Sequence, residues 1–128
     1  MKFKDNEHKA FYYKMMEQSP VQDSYHKSLY FTLGIDKDCR EHISDLFINE
    51  DDSINTNGIR KSWQTNGSLQ ATLLAFNLWN GYTYTKDKKA STPYELFASE
   101  YAEYFMEAIR LRYPEYCKEK PISLGKTR

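Results

Sequence analysis

The sequence has little that names a reaction. Its two cysteines, Cys39 and Cys117, lie far apart with no metal-type spacing around them. Such a pair predicts free, reduced thiols rather than a disulfide framework or a zinc site. An excess of one charge is missing too, because 18 basic and 18 acidic side chains cancel. That argues against a nucleic acid polymer held by overall charge. No apolar run approaches the roughly 20 residues that span a bilayer. The opening "MKFKDNEHKA" lacks the apolar centre of a signal peptide. These absences predict a soluble cytoplasmic protein with no membrane partner.

The reagents of catalysis are equally sparse. His8, His26 and His42 stand 18 and 16 positions apart, with none of the HxxxH or CxxC patterns that gather metal ligands. There is no phosphate loop, nucleophile elbow or dinucleotide fingerprint, so neither a metal nor a cofactor is expected. Cys39 falls in the first turn of an expected helix, where a thiol pKa can drop, but no base accompanies it. Asp51 and Asp52 sit in a turn-rich segment, and paired-carboxylate hydrolysis needs two acids held at a fixed distance. No catalytic residue is assigned, and the chain reads as a non-enzyme.

What is present is aromatic. Eleven Tyr, seven Phe and two Trp make up 16% of the 128 residues. Rings bury large areas with few rotors, and they also stack on flat ligands. The length suits a single domain spanning residues 1–128. Helical spacing predicts an all-α fold of about five helices. The first runs from Asp5 to Gln18, with His8, Phe11, Tyr12, Met15 and Met16 on one stripe. The second runs from Asp23-Ser24 to Gly34, which suits a left-handed closing residue. The third starts at Asp36 or Asp38, with Asp38 and Glu41 at capping-box spacing. Residues 48–58 read as a loop, and "IRKSWQ" as a short helical turn. The fourth spans about 68–80, capped by Ser68 after an Asn66-Gly67 turn and closed by Gly81. It is apolar nearly all round, which makes it the central helix. Tyr82 to Thr85 alternate and could pair as a strand. The fifth opens at Thr92-Pro93 and continues to Tyr113, halted by Pro114. Residues 117–128 read as a loose tail.

Binding chemistry gathers at helix ends. Arg60, Trp63, Gln64 and Thr65 precede the central helix, whose free N–H groups attract anions. An indole stacks on a base, and an arginine pairs with phosphate oxygens. Trp63 as a core wedge is the plainer alternative. Asn77 and Tyr82 stand at the far end, where local backbone bonding is the plainer role for Asn77. "SYHKSLY" contributes His26 among rings, although a histidine on an apolar stripe is usually structural. Arg110 and Arg112 close the fifth helix, and they also suit its negative end without any ligand. If the clusters converge, the guest is a flat, anionic, hydrogen-bonding molecule. Charge is also uneven along the chain: residues 36–57 carry seven acids against Lys37 and Arg40, while residues 108–128 carry six bases against Glu115 and Glu119.

The stretches "SLYFTLGIDKDCREHISDLF", "WQTNGSLQATLLAFNLWNGY", "TPYELF" and "IRLRYPEYC" resemble a family of small proteins of unknown function. Its members are carried by phages and prophages of Gram-positive bacteria. The resemblance covers roughly His8 to Cys117 and transfers no catalytic residue. It implies a phage setting, in which small proteins often counter host defence. The function expected first is a non-enzymatic, homo-oligomeric protein that sequesters a small, anionic, nucleotide-derived immune signal. The alternative is an inhibitor or adapter that binds a host protein, with the acidic 36–57 segment as its recognition surface.

Overall fold

The computed structural model describes residues 1–118. The fold is mainly helical, with seven α-helices and a single two-stranded hairpin among those residues. Most of the expected tail therefore lies outside the described residues.

Helix α1 spans Asn6–Gln18 and buries His8, Tyr12, Met15 and Met16. Asp5 starts it by accepting from the His8 amide at 2.8 Å. Helix α2, Ser24–Gly34, is capped likewise by Asp23. Its residues from Ser28 to Gly34 are all buried. Gly34 is not left-handed: the only positive φ values among the described residues are at Asp52 and Gly81. Its reason is proximity, since a Cβ there would lie 2.8 Å from Phe11 and 2.9 Å from His8. Glycine at this point lets α1 and α2 approach closely.

Helix α3 covers Lys37–Glu41, and Asp36 rather than Asp38 caps it, accepting from the Cys39 amide at 3.0 Å. His42 interrupts the expected single helix, and α4 follows at Ile43–Leu46. The acidic stretch read as a loop contains strands β1, Phe47–Ile48, and β2, Ser53–Ile54. They pair antiparallel, Phe47 against Ile54 and Ile48 against Ser53. A 3-10 turn follows at Thr56–Arg60.

Helix α5 runs Asn66–Asn80 and closes on left-handed Gly81 as expected. Its start differs. Thr65 is the cap, and Ser68 completes a capping box from inside the first turn. Asn66-Gly67 is thus helix, not a preceding turn. Residues 82–85 form no strand, because side chains take their backbone groups: Asn77 donates to Tyr82 O at 3.2 Å, and the Tyr84 amide donates to Ser91 Oγ at 3.1 Å.

The expected fifth helix is two, α6 at Pro93–Leu96 and α7 at Ala102–Arg112. Gln70 of α5 explains the break. Its amide donates to Glu95 O at 3.2 Å and Ala98 O at 3.1 Å, competing for carbonyls a continuous helix would use. Helix α2 packs against α1, α5 and α7, so it shares the centre with α5. Phe31, Phe76 and Phe105 have no exposed surface. Full burial of each contributes roughly 1.5–3 kcal/mol. No described helix is long and apolar enough to cross a membrane.

Candidate functional site

The two ends of α5 are about 20 Å apart at 1.5 Å per residue. This separation divides the residues singled out from sequence into two groups that do not meet.

At the N-terminal end the polar groups face inward. The Trp63 indole N–H donates to Asp45 at 2.9 Å, and the indole stacks on His42 with centroids 4.5 Å apart and planes 9° apart. Gln64 donates to Gly58 O and to Thr72 Oγ1, both at 3.2 Å, and accepts from Ser68 Oγ at 2.6 Å. Thr65 caps α5. Capping and packing therefore account for all three residues, because the helix starts two positions earlier than its pattern suggests. Arg60 is exposed and donates to Asn57 at 2.7 Å. Two neighbouring clefts of about 380 and 270 Å³ flank this end. Asp87 and Glu95 line the first, Asp36 and Glu100 the second. Those carboxylates oppose the attraction of the helix terminus for an anion.

The C-terminal end is different. Arg112, in the last turn of α7, donates from Nε to Leu78 O of α5 at 2.8 Å. That bond satisfies a carbonyl of α5's final turn. The guanidinium lies over two rings, 3.8 Å from the Tyr25 centroid and 4.6 Å from that of Tyr113. The aromatic cluster continues to Tyr116, tilted against Tyr113 at 6.5 Å, and to Trp79, edge-on to Tyr25 at 6.3 Å. Tyr25, Tyr113 and Tyr116 are exposed, Tyr116 to 82%. Nε is used on Leu78 O, and the Nη groups of a guanidinium are donors that can pair with an anion.

His26 lies just beneath, edge-on to Trp79 at 4.9 Å. Both ring nitrogens meet carboxylates: Nδ1 is 2.7 Å from Asp23 and Nε2 2.8 Å from Asp52. Burial works against its charge, yet the bonds to Asp52 and Asp23 hold its pKa above the ordinary histidine value. Asn77 is bonded to Tyr82 O, and the Tyr82 ring stands edge-on to Phe76 at 5.9 Å. Arg110 pairs with Glu107 at 3.2 Å. Burial pushes the Cys39 thiol well up, with Thr72 Oγ1 and Ser68 O at 3.5 Å. A thiol so held is the opposite of an activated nucleophile.

Sequence reasoning misses half-buried Trp79 and exposed Tyr116 as members of this cluster, and Asp23 and Asp52 as partners of His26. A usable signal exists: a ring beside a cation in the first turn of α2 (Tyr25-His26-Lys27) and in the last turn of α7 (Arg112-Tyr113). Only packing places those turns together.

The model of a family of unknown function, DUF6075, matches residues 1–124. The chain belongs to that family. No curated protein and no solved structure matches it. What points to a role for this DUF6075 chain is therefore the arrangement of its own side chains.

Proposed function

We propose that this DUF6075 chain acts by binding, not by catalysis, and that its ligand is a small, anionic, ring-bearing molecule of the nucleotide-derived kind. The observation that carries the reading is Arg112, held over the rings of Tyr25 and Tyr113. A guanidinium so arranged pairs with phosphate oxygens, while the rings beside it offer stacking faces. Three of the displaced titratable groups support a non-catalytic role, since they are engaged inside the fold. His8 bonds Phe31 O, Tyr101 bonds Asp36, and Cys39 is sealed in the core. The resemblance to phage and prophage proteins supplies the biological form. The protein would work in the cytoplasm of an infected or lysogenic host, sequestering an immune signal such as a cyclic ADP-ribose or cyclic oligonucleotide. Tyr25 and Tyr113 are exposed, so a second copy of the chain would be needed to enclose the ligand. Calorimetric titration with a panel of such nucleotides tests the reading. Binding that Arg112→Ala abolishes supports it, and no heat from any member of the panel sinks it.

A second reading follows from exposure. Tyr25, Trp79, Arg112, Tyr113 and Tyr116 have the composition of a protein-binding hot spot, and Tyr116 projects freely. The protein would then grip a host protein directly. This patch suits the role better than the acidic 36–57 segment, because Asp36, Asp45 and Asp52 bond Tyr101, Trp63 and His26. A stoichiometric partner from host lysate, lost with Tyr116→Ala and unaffected by Asp51→Ala, would favour it.

A further inference from the structure

We propose that Asp23, His26 and Asp52 form a proton-operated clasp that holds the β1–β2 turn against α2, and that Tyr30 receives Asp52 when the clasp opens. The inference is independent of what binds beside Arg112.

The geometry fixes the protonation state. An ionised carboxylate only accepts hydrogen bonds, and a neutral imidazole has one N–H. His26 faces a carboxylate oxygen at each ring nitrogen, at 2.7 and 2.8 Å. Both nitrogens must therefore donate, and the closed clasp requires the imidazolium. The residue is only 3% exposed. Among the described residues no other charge faces it: Asp23 comes from its own helix and Asp52 from the hairpin, β1 offers Phe47, α5 offers Trp79, and α2 adds the phenol of Tyr30.

The two carboxylates are not equivalent. Asp23 Oδ1 also accepts the His26 amide at 2.9 Å as the cap of α2, which anchors it. Asp52 sits in the hairpin turn with φ at 50°, a left-handed conformation uncommon for a residue with a side chain. When His26 loses a proton to solvent, Nδ1–H stays on Asp23 and Nε2 becomes a lone pair facing a carboxylate. Asp52 is the partner that leaves.

A receiver stands beside it. Tyr30 is 3% exposed as a residue, and its hydroxyl, which has no protein hydrogen bond among the described residues, opens to solvent in the adjoining cleft. It lines a cleft of about 150 Å³ between the end of α1 and the hairpin turn, together with Gln18, Ser19, Asn49 and Asp52. A phenol with no protein partner, beside a releasable carboxylate, gives the turn a second resting place. Deprotonation thus exchanges Asp52–His26 for Asp52–Tyr30 and relaxes the turn.

The test is an NMR pH titration of the full chain, following the His26 ring nitrogens and the Asp51 and Asp52 amides. Two protonated ring nitrogens at neutral pH are expected, with a midpoint above the ordinary histidine value. Above that midpoint Nε2 loses its proton, and the Asp52 amide shifts with the same midpoint. His26→Gln is expected to show the open-turn amide shifts at every pH. Tyr30→Phe is expected to raise amide exchange at residues 51 and 52 severalfold, only above the midpoint. A His26 midpoint at or below the ordinary value, or an Asp52 amide indifferent to it, overturns the clasp. Unchanged exchange in a folded Tyr30→Phe overturns the role of Tyr30. The wild-type titration alone decides the clasp if a variant does not fold.

Discussion

The Tyr101 hydroxyl donates to Asp36 Oδ2 at 2.9 Å, across 65 positions of chain, and ties the entrance of α7 to the cap of α3. Both groups are buried, Tyr101 to 8% and Asp36 to 5% exposure. Asp36 also accepts the Cys39 amide, so one carboxylate serves two elements. Tyr101→Phe removes one bond to a charged acceptor and is expected to cost about 1.5–3 kcal/mol. Asp36→Ala removes both bonds and is expected to cost more. Urea unfolding of the two variants measures the difference; equal stability of Tyr101→Phe and wild type would refute the tie.

Trp63 and Arg112 should separate cleanly. Trp63→Phe loses the bond to Asp45 and the full stack on His42, at a cost of about 1–3 kcal/mol. Nucleotide titration heats should stay unchanged, because Trp63 stands at the other end of α5. Arg112→Lys keeps the charge but loses the planar fork. It is expected to weaken any ligand at least tenfold while Arg110→Ala leaves affinity intact. Calorimetry on the three variants checks this, and equal loss in Trp63→Phe would move the site.

Close approach ranks two glycines. A Cβ at Gly58 would stand 2.4 Å from the Asp45 backbone oxygen, whereas one at Gly34 meets side-chain atoms of Phe11 and His8 at 2.8 and 2.9 Å. Rings can shift and a backbone carbonyl yields less easily. Gly34→Ala is expected to cost about 1–3 kcal/mol and Gly58→Ala more. Thermal unfolding orders them, and the reverse order would contradict the packing.

His8 sets an acid limit. Burial pushes its pKa down to about 4, partly offset by the bond from Nε2 to Phe31 O at 2.8 Å. Nδ1 accepts the Lys4 amide at 3.0 Å, so the neutral ring is fully satisfied. The folded pKa lies below the unfolded one, near 6.5. The stabilisation is complete above about 6.5 and is lost as pH falls towards 4, amounting to about 3 kcal/mol over that span. The raised pKa of His26 has the opposite sign: its contribution is complete below the unfolded value and is lost as pH rises through the folded one. Unfolding free energy should therefore peak near neutrality. A flat profile from pH 4 to 6.5 would rule out the buried neutral His8.

The helices are legible where one local device suffices. Asp5, Asp23 and Thr92 announce their helices through a side chain and an amide three positions away, and the buried stripe of α1 follows its period. The errors have two causes. Gln70 divides the stretch after Thr92 from another helix, Thr65 outcompetes Ser68 for the cap, and Gly34 serves a neighbour's ring. Each outcome depends on a group far along the chain or on a choice between two equally plausible local bonds.

Local pattern was enough for a mainly helical fold with an apolar α5 closed at Gly81, because periodicity and capping act within a few residues. Which polar side chains face solvent was left to packing. Packing turned Trp63 and Gln64 inward, placed Arg112 over Tyr25 and Tyr113, and set Asp52 against His26. The reason is geometric: a hydrogen bond or stack needs its partner within a few ångströms, and distant turns reach that range only when α2, α5 and α7 come together.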